Sequence, residues 1–166
     1  MVYSLLEYFP MKHVVFDCDG TLIDTSSNKY IPYPGIKELL LELSKDCLLY
    51  LWTARGRHST LRILEETGLS SYFSNICTID DCLPKPHVAG LLELVGPVPK
   101  NSICVIGDSS NDILGAKNFG VMGIGAVWNA DAKQEYLKNS GADFIVSHPS
   151  ECCKIIQQNL KGTSDV

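Results

Sequence analysis

Short, nearly continuous apolar runs alternate along this chain with segments whose apolar residues recur every three or four positions. His13-Val14-Val15-Phe16, Leu48-Leu49-Tyr50-Leu51-Trp52, Ile76 to Ile79, Ile103-Cys104-Val105-Ile106 and Phe144-Ile145-Val146 read as strands, and Val121 to Ala126 as another weakened by two glycines. Between them Ile36, Leu39, Leu40 and Leu43 mark one helix face, as do Val88, Leu91, Leu92 and Val95. Helices are also predicted around Leu61 and Leu64, through Ile113, Leu114 and Ala116, over Asp131 to Asn139 and over Glu151 to Leu160. Gly68, Gly96 and Gly120 are suited to end the helices before them. Strands apolar on both faces, joined by amphipathic helices, form a parallel sheet covered on both sides. The pattern predicts an α/β fold: a Rossmann-like three-layer sandwich with a mainly parallel central sheet.

In such sheets ligands bind beyond the carboxyl ends of the strands. The first strand is followed by Asp17-Cys18-Asp19-Gly20-Thr21-Leu22 and the second by Thr53-Ala54-Arg55. Lys85 comes shortly after the third, and Gly107-Asp108-Ser109-Ser110-Asn111-Asp112 after the fourth. Each has a plain structural reading. Asp108 and Asp112 suit a helix start, where acidic residues are favoured; Thr53 can simply end a strand, and Lys85 can be a surface lysine before Pro86. Those readings leave unexplained why all of them fall on one edge of the sheet. Asp17 and Asp19 are costly neighbours unless a cation or a shared proton compensates their repulsion. The cluster therefore points to a metal-dependent site.

With these motifs in this order the chain closely resembles the haloacid dehalogenase-like (HAD) hydrolase superfamily, and looks most like its phosphoglycolate phosphatase branch. The resemblance implies that Asp17 is a nucleophile forming an aspartyl-phosphate, and that Asp19 protonates the leaving oxygen and then deprotonates the attacking water. Neighbouring carboxylates are expected to help Asp19 keep the proton it delivers. Thr53, Ala54 and Arg55 would hold the phosphoryl oxygens, and Lys85 would offset the charge of phosphate and aspartates. The implied cofactor is Mg²⁺, bound by Asp17, the Asp19 main-chain carbonyl and Asp108, with Asp112 acting through water or by orienting Lys85. The dehalogenase branch lacks an acid at the Asp19 position, so the resemblance implies a phosphatase acting on phosphate monoesters. The alternative is a non-catalytic phosphate-binding or regulatory module on the same fold, which would need neither nucleophile nor acid.

Relatives in that branch usually carry a helical cap after the first motif. Here Gly35 follows Asp24 within eleven residues, room for a short loop or small hairpin but no cap domain. An uncapped site admits a large phosphorylated substrate; alternatively a neighbouring subunit of a homo-oligomer covers it and the substrate is small. Arg57 and His58 are the candidate specificity residues, with a solvated helix start as their plain reading; Tyr30 and Tyr33 are weaker candidates.

The 166 residues suit one domain over 12–160, with an N-terminal extension over 1–11 and a flexible tail over 161–166. The formal net charge of −5 and the lack of a basic stripe argue against general nucleic-acid binding. Seven irregularly spaced cysteines fit a reducing cytoplasm better than a disulfide framework. Zinc on Cys77, Cys82 and His87 is disfavoured because no CxxC pair or fourth ligand accompanies them. No apolar run reaches the ~20 residues of a membrane span, and residues 1–10 lack the basic start of a signal peptide.

Overall fold

A computed structural model describes residues 11–26 and 28–162. Its centre is a six-stranded sheet built from β1 (Lys12–Phe16), β4 (Cys47–Trp52), β5 (Phe73–Cys77), β6 (Ile103–Gly107), β7 (Met122–Ala126) and β8 (Phe144–Val146). The strands lie in the order β5-β4-β1-β6-β7-β8 and every neighbouring pair is parallel. Two further strands, β2 (Ile23–Asp24) and β3 (Ile31–Pro32), pair antiparallel as a small hairpin where a cap would be inserted.

Side-chain alternation explains the near-continuous apolar runs. Val14 and Phe16 of β1, Leu49 and Leu51 of β4, and Cys104 and Ile106 of β6 face one core. That core is covered by α1 (Ile36–Leu43), α2 (Arg57–Thr67) and α6 (Glu151–Asn159). Val15, Tyr50, Trp52, Ile103 and Val105 face the other, covered by α3 (Ala89–Val95) and α4 (Ser110–Phe119). With both faces buried, period-two polarity disappears from the central strands. The short α5 (Gln134–Asn139) links β7 to β8.

Two elements differ from their sequence expectation. The third strand runs Phe73–Cys77 rather than Ile76 to Ile79. It is the edge strand, so Ser74 and Asn75 are exposed within it, and Ile79 lies in the turn beyond. The helix expected from Asp131 starts at Gln134, because Asn129 first closes a turn with Asp131 and Ala132. The extension expected over 1–11 lies, except for Met11, outside the described residues. So does the tail, except for Lys161 and Gly162; Lys161 is still tied in, its N–H donating to Asn101 O at 3.0 Å.

Candidate active site

Asp17 is the first residue beyond β1, and its N–H donates to Ile106 O of β6 at 2.9 Å, so the centre of the sheet holds it. The chain then turns about the Cys18 carbonyl, which accepts from the N–H groups of Thr21, Leu22 and Ile23. Gly20 occupies the left-handed region at φ 81°, and a Cβ there would collide with the Asp108 carboxylate and the Asn129 amide. This turn is where glycine is needed, for conformation and for space. Cys18 is fully buried in the core beneath this turn, and burial with Asp19 and Asp17 close by pushes its thiol up, away from the reactive thiolate.

Lys85 bridges two elements from below the cleft. Its Nζ donates to Asp17 Oδ1 at 2.7 Å and to Asp112 Oδ1 at 2.6 Å, and lies 5.0 Å from the centre of the Trp52 ring. Burial alone would pull the lysine down; Asp112 and Asp17 more than offset it, so the ammonium is held above its usual value. The other Asp112 oxygen accepts from the N–H and the hydroxyl of Ser109, completing a capping box at the start of α4. One Asp112 oxygen therefore caps α4 while the other accepts from Lys85. Asp108 Oδ1 accepts from Thr21 Oγ1 at 2.9 Å and its Oδ2 from Asn129 Nδ2 at 3.0 Å.

Asp17, Asp108 and Asp112 each present an oxygen within 4.8 Å of the others. Burial first, then Asp112, raise Asp17 well above the usual carboxylate range against the pull of Lys85. Burial raises Asp108 as well. An anionic, all-oxygen donor set with too little positive charge beside it suits a hard divalent cation such as Mg²⁺. Asp112 spends one oxygen on the Lys85 ammonium and the other on the start of α4, whereas Asp17 and Asp108 line the cleft and are the carboxylates that could hold the ion. The Asp19 carbonyl accepts no hydrogen bond among the described residues and could offer the ion a third oxygen.

Asp17, Asp19, Ala54, Lys85 and Asp108 line one cleft of about 350 Å³, with Pro84, Ser109 and Asn111. Thr53 is buried at the end of β4; its hydroxyl accepts the Arg55 N–H at 3.1 Å. The side chain of Arg55 turns back on Asp19, Nε donating to both carboxylate oxygens at 3.1 Å and Nη2 to Oδ1 at 2.7 Å. Asp19 thus faces a guanidinium as well as sharing the cleft with Asp17 and Asp108, a cation that the expectation based on neighbouring carboxylates did not include. Ser59 Oγ takes a further N–H of Arg55 at 2.7 Å, and Tyr30, itself in left-handed conformation at φ 47°, sets its ring 5.3 Å from the guanidinium carbon. Arg57 is engaged elsewhere: its N–H caps on Asp80 at 2.7 Å and its Nε pairs with Asp81 at 3.1 Å. His58 is exposed on the first turn of α2. Cys77 and Cys82 gather no third metal-ligating side chain among the described residues.

Sequence reasoning missed Trp52 as the floor under Lys85, and Trp128 and Asn129 in the loop after β7. Trp128 Nε1 donates to Thr21 O at 2.9 Å, across 107 residues. No local motif marks that loop. Its place beyond another strand of the same sheet edge was the available signal.

The sequence profile described as haloacid dehalogenase-like hydrolase matches residues 26–126, more than half of the chain. With this fold and this cluster on the sheet edge, the chain belongs to the haloacid dehalogenase-like hydrolase family, whose relatives here are phosphatases by name. It is 38% identical over 102 residues to a phosphoglycolate phosphatase of Agrobacterium fabrum, covering 58% of this chain and 43% of that protein. It is 28% identical over 129 residues to pyrophosphatase PpaX of Oceanobacillus iheyensis, covering 75% and 59%. The chain spans about half the length of the curated relatives it matches. A haloacid dehalogenase-like hydrolase from Streptococcus pneumoniae superposes with a TM-score of 0.77 at 20% identity, over 89% of this chain and 99% of that one, which establishes the shared fold.

Proposed function

We propose that this chain is a Mg²⁺-dependent phosphatase that hydrolyses phosphate monoesters through an aspartyl-phosphate on Asp17. The observation that carries the reading is the Lys85 ammonium held between Asp17 and Asp112, with Asp19 two residues along and Asp108 facing the same cleft. Asp17 is the nucleophile: its oxygen attacks phosphorus and the ester oxygen departs. Asp19 gives that oxygen a proton and later takes one from the water that cleaves the acyl phosphate, returning Asp17 to a carboxylate. Lys85 favours the charged form of Asp17 and holds it in place for attack, while Asp112 keeps Lys85 from drifting. The Thr53 hydroxyl and the Ala54 main-chain N–H receive the phosphoryl oxygens, the Arg55 N–H being given to Thr53. When bound, Mg²⁺ on Asp17, Asp108 and the Asp19 carbonyl supplies positive charge to the phosphoryl group. For Asp19 to serve the leaving group it must exchange partners with Arg55, whose guanidinium then remains, held by Ser59 and Tyr30, for the rest of the substrate.

The short hairpin leaves the site without a cap domain of its own, so either a large substrate or a second subunit completes it. The names of the relatives make phosphorylated acids and pyrophosphate sensible members of a first screen. An aryl phosphate assay with and without Mg²⁺ tests the reaction itself. Turnover that requires the metal and vanishes in Asp17→Asn is expected; undiminished turnover in that variant excludes Asp17 as the nucleophile.

A further inference from the structure

The loop after β7 reaches the cleft from farther along the chain than the motifs that define it. Trp128 anchors it to Thr21, and Asn129 Nδ2 donates to Asp108 Oδ2 at 3.0 Å. The other end of that amide is also committed. Asn129 Oδ1 accepts the Asp131 N–H at 3.0 Å, and Asn129 O accepts the Ala132 N–H at 3.1 Å. A flipped amide would set its oxygen against the Asp108 carboxylate and its NH₂ against the Asp131 N–H, turning two attractions into two repulsions. The turn therefore fixes the amide with its donor toward Asp108. The space for that contact exists because Gly20 carries no side chain.

The chemistry of the donor matters as much as its position. Asp108 takes one hydrogen bond on each oxygen, from the Thr21 hydroxyl and the Asn129 amide, and both donors are neutral. They orient the carboxylate without cancelling its charge, whereas a lysine or arginine at 129 would compete with a cation for it. Lys85, the nearby cation, is spent on Asp17 and Asp112 instead. The polar groups around the cluster thus divide the work: the ammonium goes to the nucleophile, and the neutral donors go to the carboxylate left for metal.

We infer that Asn129 is a positioning residue for the Mg²⁺ site, holding Asp108 in its ion-binding orientation through the hydrogen bond to Oδ2. This rests on the metal reading given above. Partners of metal-ligating groups typically change affinity about 10–100-fold when removed. Calorimetric titration of MgCl₂ into the full chain tests the role, comparing wild type with Asn129→Ala, Asn129→Leu and Trp128→Phe, each first shown to unfold cooperatively without metal. Both Asn129 variants should bind Mg²⁺ about 10–100-fold more weakly. Trp128→Phe, which loses the loop anchor but keeps the amide, should stay within about threefold of wild type. A folded Asn129 variant that binds as wild type does, or a Trp128→Phe loss as large as that of the Asn129 variants, overturns the inference. A wild type that takes up no Mg²⁺ overturns the metal reading, and the role of Asn129 falls with it.

Discussion

Lys85 shows how one side chain can serve the fold and the chemistry through the same contacts. Its Nζ is the cation within hydrogen-bonding reach of both Asp17 and Asp112, and its side chain is only 7% exposed. Lys85→Met would leave two buried carboxylates without a counter-charge, at a cost of about 3–5 kcal/mol in denaturant unfolding. Turnover of an aryl phosphate should fall at least about 10²–10³-fold. Added Mg²⁺ should recover part of the stability and little of the rate, because the ion cannot replace the contact to Asp112. A different residue sets a pH dependence unrelated to catalysis. His13 is buried, with Nδ1 3.0 Å from the Tyr50 hydroxyl and Nε2 without a partner among the described residues. Burial lowers it from 6.5, so above that pH neither folded nor unfolded chain protonates it. As pH falls below 6.5 the unfolded chain takes up a proton that the folded chain resists, and stability is lost. Unfolding titrations between pH 7.5 and 5.5 should show a steeper loss in wild type than in His13→Gln; parallel profiles would assign the loss to other groups.

Strands and helices were legible in proportion to how far local pattern decided them. The central strands β1, β4 and β6 are apolar on both faces because both faces are covered, and they stand where the sequence put them within a residue. The edge strand β5 was displaced because an exposed edge accepts Ser74 and Asn75 and dilutes the signal. The site was legible where its residues lie on the loops just beyond the strands: Asp17, Asp19 and Asp108 follow β1 and β6 at once, Lys85 follows β5 after a short loop, and all four meet at the cleft. The pairing of Arg55 with Asp19, the engagement of Arg57 by Asp80 and Asp81, and the arrival of Asn129 were not, because each depends on how separate loops pack. Trp52 is the clearest case. It reads as an ordinary core residue, yet its indole is wedged between α3 and α4 where both present glycine. A Cβ at Gly115 would lie 2.5 Å from Trp52 Cη2, and one at Gly90 would collide with Trp52 Nε1. Gly115→Ala should therefore overpack this layer and cost about 1–3 kcal/mol. Since Lys85 rests over the same ring, the variant should also lower kcat for an aryl phosphate more than it raises KM. A variant as stable and as active as wild type would show that the helices can part without moving the indole.

Asp17 and Asp108, the carboxylates that would hold the ion, follow β1 and β6, and those two strands pair at the middle of the sheet. Local opening at an edge cannot separate Asp17 from Asp108; only breaking the β1–β6 pairing can. A cation held by both should therefore act on global stability rather than on a single loop. Binding to the folded state alone contributes about 2.7 kcal/mol when the free ion stands at about 100 times its Kd. For a chain of this size that corresponds to a rise in Tm of roughly 5–10 °C. The sign without metal runs the other way. Asp17, Asp108 and Asp112 then repel one another at close quarters, so Asp108→Asn should melt above wild type in chelator. With Mg²⁺ the order should reverse, since the variant loses a ligand while wild type gains the full shift. Thermal unfolding of both proteins in chelator and in excess Mg²⁺ measures all four values. If Asp108→Asn keeps the whole Mg²⁺ shift, the ion binds elsewhere, and the mutual repulsion of these carboxylates must be relieved by a shared proton instead.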